Sequence, residues 1–180
     1  RTNGQAPTWT PLPVQYADYS LWQREVLGSE DDPQSVIAQQ ITYWAQALDG
    51  VPEQLNLPGD RARPAVFSGQ GATFEFSIGQ ELHERLISVG REHNASMFMV
   101  VHAALASLLA RLSGTTDINI GAPMAGRGES ELDDLIGMFV NTLVLRTEVD
   151  PSAAFTTLLA SARETDLQAF AHSDLPFERL

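Results

Sequence analysis

The chain has 180 residues, enough for one ordinary hydrophobic core, or for one lobe of a larger domain plus part of another. Hydrophobic residues make up 43% and charged residues 19%, the balance of a folded domain and not of a disordered segment. A net charge of -12 argues against partners built on phosphate backbones or anionic lipid, and zero cysteines exclude disulfides, thiolate metal sites and a cysteine nucleophile.

The chain opens on Arg1-Thr2-Asn3-Gly4-Gln5, a polar start with no apolar signal region and no initiating Met. It stops on Phe177-Glu178-Arg179-Leu180, in what reads as the first turn of a helix, so both ends are expected to be cuts in a longer polypeptide. Residues 13–27 are expected to form a helix opened by Pro13, with Tyr19, Trp22 and Val26 on one face. Asp31-Asp32-Pro33 supplies helix-starting chemistry, and Ile37, Ile41, Trp44 and Leu48 recur at helical spacing over 34–48. Gly and Pro recur from 50 to 64 with little periodicity, which reads as an extended crossover and a boundary between lobes.

Beyond it, strand and helix patterns mix. Residues 72–78 alternate as a strand, and 81–93 place Leu82, Leu86 and Val89 on one helical face. Ser96 caps a nearly all-apolar helix over 97–112, ended by Ser113-Gly114. That run is shorter than the roughly 20 residues a membrane span needs and contains His102, Ser107 and Arg111, so it reads as a buried core helix. A short strand is expected over 117–122 with Ile118 and Ile120 on one side, and a long β-branched strand over 137–149. Asp150-Pro151-Ser152 turns the chain into a last helix whose Phe155, Leu158, Leu159, Ala162 and Phe170 face the core. The fold class is α/β, with helices packed on a sheet.

Little in these residues is catalytic by type. His83, His93, His102 and His172 show no i,i+4 metal spacing, and His102, mid-helix in an apolar run, reads as a hydrogen-bonded core residue. Gly69-Gln70-Gly71 lacks the third glycine of a dinucleotide loop and precedes a strand instead of following one. No phosphate loop or Gly-x-Ser-x-Gly elbow occurs, and Glu131-Leu132-Asp133-Asp134 most simply opens a short helix.

Three segments carry more information. Tyr16-Ala17-Asp18-Tyr19-Ser20-Leu21-Trp22 resembles the fourth core motif of the condensation domains of nonribosomal peptide synthetases. The run from Ile136-Gly137-Met138-Phe139-Val140-Asn141-Thr142 to Arg146 is similar to the fifth. His172-Ser173-Asp174-Leu175-Pro176-Phe177-Glu178 is similar to the sixth, with Ser173 in place of Gln. They occur in the family's order, and Gly121-Ala122-Pro123-Met124-Ala125-Gly126-Arg127 between them also suits it.

The resemblance implies a two-lobed fold like chloramphenicol acetyltransferase, with helices on a mixed sheet and a tunnel between the lobes. Residues 1–49 would end the first lobe, 50–64 would be the linker, and 65–180 would form an incomplete second lobe. It implies amide-bond formation between a peptidyl or acyl thioester and an aminoacyl thioester, both carried on phosphopantetheine arms of carrier proteins upstream and downstream. No cofactor would be bound directly. An adenylation domain in the same synthetase, a cytoplasmic setting, and no nucleic-acid or membrane partner go with that picture. The family's His-His-x-x-x-Asp-Gly segment lies upstream of the fourth motif, so no catalytic residue is expected in this chain, which alone should be inactive.

Asn141 and Arg127 are the candidates for the tunnel wall. Asn141 would either line the tunnel or tie its strand to neighbouring backbone, and Arg127 would either reach the absent motif's Asp or sit at the surface. Tyr16, Asp18, Tyr19, Trp22, Gly137, Phe139, Val140, Thr142, Arg146, His172, Asp174, Pro176, Phe177 and Glu178 are expected to serve structure, with Asp174 fitting a helix cap. The alternatives are a non-catalytic condensation-like recruitment domain and a related acyltransferase that takes acyl groups from coenzyme A or a carrier protein.

Overall fold

A computed structural model of the chain describes residues 10–180 apart from 53, 63 and 65, so the polar opening segment lies outside the described residues. The chain divides into two compact units that are not consecutive in sequence. One takes the chain up to Gln46 together with Pro123–Leu143 and His172–Leu180; the other takes Ala47–Ala122 and Val144–Ala171.

In the first unit, α1 spans Tyr16–Leu27, starting three residues after the expected Pro13. The reason is Asp18, whose Oδ2 accepts the main-chain N–H of Gln15 at 2.9 Å and so caps the helix there. The helix stops at Gly28, which adopts φ 77 and donates to the carbonyl of Arg24. Helix α2 runs Val36–Ala47, entered through Ser35, whose Oγ accepts the N–H of Ala38 at 3.2 Å. It buries Ile37, Gln40 and Trp44, a face spaced three and four residues apart. A 3-10 turn at Ser130–Leu132 brings Leu132, Leu135 and Phe139 into a small core with Val14, Tyr16 and Tyr19.

In the second unit, α3 spans Gln80–Glu92 and α4 spans Met97–Ser113. The tight turn between them is why residue 90 is glycine. Its carbonyl accepts the N–H of Ala95 at 2.8 Å, and a Cβ there would come within 2.7 Å of the Ala95 carbonyl oxygen. Ser96 caps α4 through Met99 N–H, and Gly114 ends it in the left-handed region at φ 72. Helix α4 buries Met99, Val100, Ala103 and Ala106 against Leu158, Leu159 and Ala162 of α5, which spans Phe155–Ala171; Ile118 and Val149 complete this core. Each large aliphatic side chain buried here contributes roughly 1.5–3 kcal/mol before chain entropy is deducted. Among the described residues no single helix is long and apolar enough to cross a membrane.

Among the described residues the sheet has two strands, β1 at Asp117–Ala125 and β2 at Val140–Glu148, and both strands contribute residues to both units. Bonds from Val149 N–H to the Thr116 carbonyl and from Gly126 N–H to the Phe139 carbonyl fix an antiparallel register. The expected strand over 137–149 starts late, because Gly137 lies against the Tyr16 ring and Phe139 turns into the small core. The strand expected over 72–78 does not form. Phe74 is 87% and Phe76 is 77% exposed, and no ladder partner for the segment exists among the described residues. An alternating pattern specifies which face to bury, but a strand also needs a neighbour to bond to.

Candidate functional site

The three motif segments, far apart in sequence, meet in the first unit. Tyr16 supplies the first link. Its hydroxyl donates to the main-chain carbonyl of Met138 at 2.9 Å, and its ring lies edge-on to Phe139 with centroids 5.3 Å apart. Gly137 lies so close beneath this ring that a Cβ would overlap the ring carbons, so glycine is required there by contact and not by backbone angle. Tyr19 stacks obliquely on both Phe139 and Trp22. Burial, followed by the nearby Tyr16 and Asp174, raises the Tyr19 phenol above its ordinary range.

Asn141 makes the second link. Its Nδ2 donates to the carbonyls of Ser173 at 2.9 Å and Leu175 at 2.7 Å, while its Oδ1 accepts from Phe177 N–H at 3.0 Å and Thr142 N–H at 2.9 Å. The amide ties its strand to the loop of the last motif, with both its nitrogen and its oxygen engaged.

The loop carrying the last motif is gripped again from α2. Gln40 donates to Asp174 Oδ2 at 2.7 Å, and its Oε1 accepts the N–H groups of Asp174 and Leu175, both at 2.9 Å. Trp44 Nε1 donates to the His172 carbonyl at 2.7 Å, and the Tyr43 ring stacks on the His172 ring at 3.8 Å. Asp174 thus pairs with Gln40 instead of capping a helix, because the final 3-10 turn, Phe177–Arg179, is entered at Pro176. Glu178 is exposed on that turn.

Arg127 is exposed, yet its guanidinium is engaged. One nitrogen donates to the carbonyls of Leu132 and Asp133, and the group lies 4.1 Å over the Phe139 ring centre. Beside it, Val14, Asp18, Tyr19, Trp22, Glu129, Glu131 and Leu132 line a shallow cleft of about 280 Å³.

Two further groups lie in the second unit. Arg146 forks onto Asp117 at 2.9 and 3.1 Å and donates to the carbonyls of Ala47 at 2.9 Å and Asp49 at 2.7 Å. The bond to Asp117 raises the guanidinium's already high pKa further. His102 Nε2 lies 3.2 Å from Thr147 Oγ1, and its Nδ1 lies 2.8 Å from Asp166, at ion-pair distance but off the hydrogen-bond direction. Thr, His and Asp stand in the order of a nucleophile, base and orienting acid. All three are buried, so the group is a polar core cluster and presents no nucleophile to a substrate.

Gln40 and Asp166 were not anticipated. Both sit in register with apolar faces, at Ile37–Gln40–Trp44 and Ala162–Asp166–Ala169; the first signals the buried hydrogen-bonding role Gln40 has, whereas Asp166 only lies at ion-pair distance from His102. Among the described residues no group of three or more His, Asp or Glu side chains is placed to hold a metal ion.

A family model described as "Condensation domain" matches residues 2–180. The chain is 51% identical over its full length to a dimodular nonribosomal peptide synthase of Bacillus subtilis (strain 168), of which it covers 8%. It is 52% identical, also over its full length, to a probable non-canonical nonribosomal peptide synthetase of Salinispora arenicola, of which it covers 2%. Among solved structures it is similar to the X-domain in the complex of the X-domain and OxyB from teicoplanin biosynthesis. That likeness has a TM-score of 0.90 and 35% identity, covering 99% of this chain and 39% of the solved one.

Proposed function

Because the chain belongs to the condensation-domain family, we propose that it forms part of the amide-forming domain of a nonribosomal peptide synthetase. The observation that carries this reading is the convergence of its three motif segments. Tyr16 is locked to Gly137 and Met138, and Asn141 is locked to Ser173, Leu175 and Phe177, so the three segments that resemble the family's motifs hold one another in place.

In the reaction the amine nitrogen of a carrier-bound aminoacyl thioester attacks the carbonyl carbon of a carrier-bound acyl thioester. The new C–N bond forms, the C–S bond breaks, the amine loses a proton and the departing thiolate gains one. The thioester is already activated, so alignment supplies much of the acceleration. The residues described here would form a fixed wall opposite a proton-handling histidine elsewhere in the parent domain. Carrier proteins bearing phosphopantetheine and an adenylation domain are the partners of this reading, and the cytoplasm is its setting.

A second reading is non-catalytic recruitment of a protein partner, favoured by the likeness to an X-domain that was solved in complex with OxyB. The parent coding sequence separates the two. An intact His-His-x-x-x-Asp-Gly segment preceding these residues supports amide formation, and loss of its second histidine overturns that reading in favour of recruitment.

A further inference from the structure

Helix α1 borders a groove lined by carboxylates and by no basic side chain. Two adjoining depressions, of about 280 and about 200 Å³, share Tyr19, Trp22, Glu129 and Leu132 as lining residues. Val26, Leu27 and Val36 add apolar surface to the smaller one, which Asp174 also lines, while Asp18 and Glu131 line the larger. None of these four carboxylates is ion-paired with a described residue. The neighbouring Arg127 is committed to main-chain carbonyls and to the Phe139 ring.

Asp174 is oriented by a buried partner. Gln40, only 3% exposed, donates to Asp174 Oδ2 and accepts the N–H groups of Asp174 and Leu175, so both carboxylate and loop are held. No described residue donates to the other oxygen, Oδ1. The charge reaches the groove wall, where it contributes to raising the Tyr19 phenol. Four carboxylates repel phosphate groups and a second copy of this chain, whose net charge is -12. Among the described residues they are not gathered to hold a metal ion. The adjacent Tyr19 and Trp22 rings, with centres 6.0 Å apart, favour an organic cation with a carbon stem. Small-molecule sites enclose most of their ligand, whereas this groove is shallow and divided by Trp22, which suits a length of peptide. Arginine fits better than lysine, because a planar guanidinium stacks on a ring while it pairs with a carboxylate.

We propose that this groove docks a segment of a partner protein through an arginine that stacks on the half-exposed Trp22 and pairs with Asp174. The site is independent of whether the parent domain forms amides or recruits, so its test does not bear on that choice.

The test uses the complete parent domain at low ionic strength and reads the fluorescence anisotropy of a labelled peptide, Ala-Leu-Arg-Ala-Leu-Arg-Ala. A counterpart carries citrulline in place of both arginines, which keeps the shape and removes the charge. The arginine peptide is expected to bind about tenfold more tightly than the citrulline peptide. Trp22→Ala and Asp174→Asn are each expected to weaken it by about two- to fivefold. Glu164→Gln removes the same charge from an exposed position on α5, outside the groove, and is expected to leave binding unchanged. Gln40→Met keeps the net charge but releases Asp174, so it is expected to weaken binding; if that variant does not fold, the exposed Trp22→Ala carries the test. Binding of neither peptide, or equal binding of both, overturns the proposal. So does wild-type affinity in Trp22→Ala, or a loss in Asp174→Asn no greater than in Glu164→Gln, which would reduce the effect to net charge.

Discussion

Replacing Asn141 tests the join between the fifth and sixth motif segments. The side chain gives two hydrogen bonds to loop carbonyls and accepts one from the loop N–H of Phe177, at 2.7–3.0 Å. A hydrogen bond of this kind contributes about 1 kcal/mol net, and a part-buried group left without its partner costs somewhat more. The loop edge is exposed at Asp174 and Pro176, so water replaces part of the loss. Asn141→Ala is therefore expected to destabilise the loop by about 2–4 kcal/mol.

Asn141→Asp is the sharper probe, because it keeps size and the acceptor oxygen but turns the donor nitrogen into an oxygen facing two carbonyls. Only the protonated acid can donate, so the introduced carboxyl has a folded pKa raised above its unfolded value of about 3.9. Its favourable contribution is complete below that unfolded value and is lost as pH rises through the folded one. The variant should therefore be closest to wild type in acid and worst at neutral pH. Hydrogen exchange at the Leu175 and Phe177 amides reads this locally, with protection expected to fall by about tenfold or more at neutral pH. Wild-type protection of both amides in Asn141→Asp would refute the reasoning.

Gly137→Ala is expected to cost about 1–3 kcal/mol or more by overpacking against Tyr16, and a large part of that should vanish when Tyr16→Ala is combined with it; additive melting shifts would count against this. Arg146→Lys should lose about 1–2 kcal/mol, since an ammonium cannot fork onto Asp117 while reaching two carbonyls; a double-mutant cycle with Asp117→Asn measures the coupling, and zero coupling contradicts the pairing. Asp166→Leu or His102→Leu alone should each cost about 3–5 kcal/mol, with the double variant less damaging than the sum, as denaturant midpoints will report. With the folded Tyr19 phenol raised, the unfolded chain ionises first, near pH ~10; Tyr19's stabilising effect is whole below that point and declines as pH climbs toward the folded value. Alkaline absorbance titration, with Tyr19→Phe as assignment control, should show that midpoint falling in Asp174→Asn, and an unmoved midpoint would contradict the attribution.

The helices were legible because their apolar spacing and punctuation agree. Ser96 and Gly114 bracket α4 as expected, and Ile37 and Trp44 face inward on α2. The strand pattern at 72–78 was equally clear in sequence, yet Phe74 and Phe76 stand exposed, because pairing depends on a neighbour that local alternation does not encode. The motif segments were visible singly, but their joining through the Tyr16 hydroxyl and the Asn141 amide was not, since bonds spanning more than thirty residues leave no local signature. Gln40 did leave one, as the polar member of an apolar helix face, whereas nothing in its neighbourhood marked Asp117 as the partner of Arg146.

The most direct measurement is a single-turnover reconstitution of the complete parent domain with an acyl-loaded donor carrier and an aminoacyl-loaded acceptor carrier, followed by mass spectrometry of the acceptor. The expected product is an acceptor carrier heavier by the acyl group, linked through an amide that survives thioester cleavage. Intact starting thioesters on both carriers, in the presence of a folded domain and above a no-domain control, would contradict it.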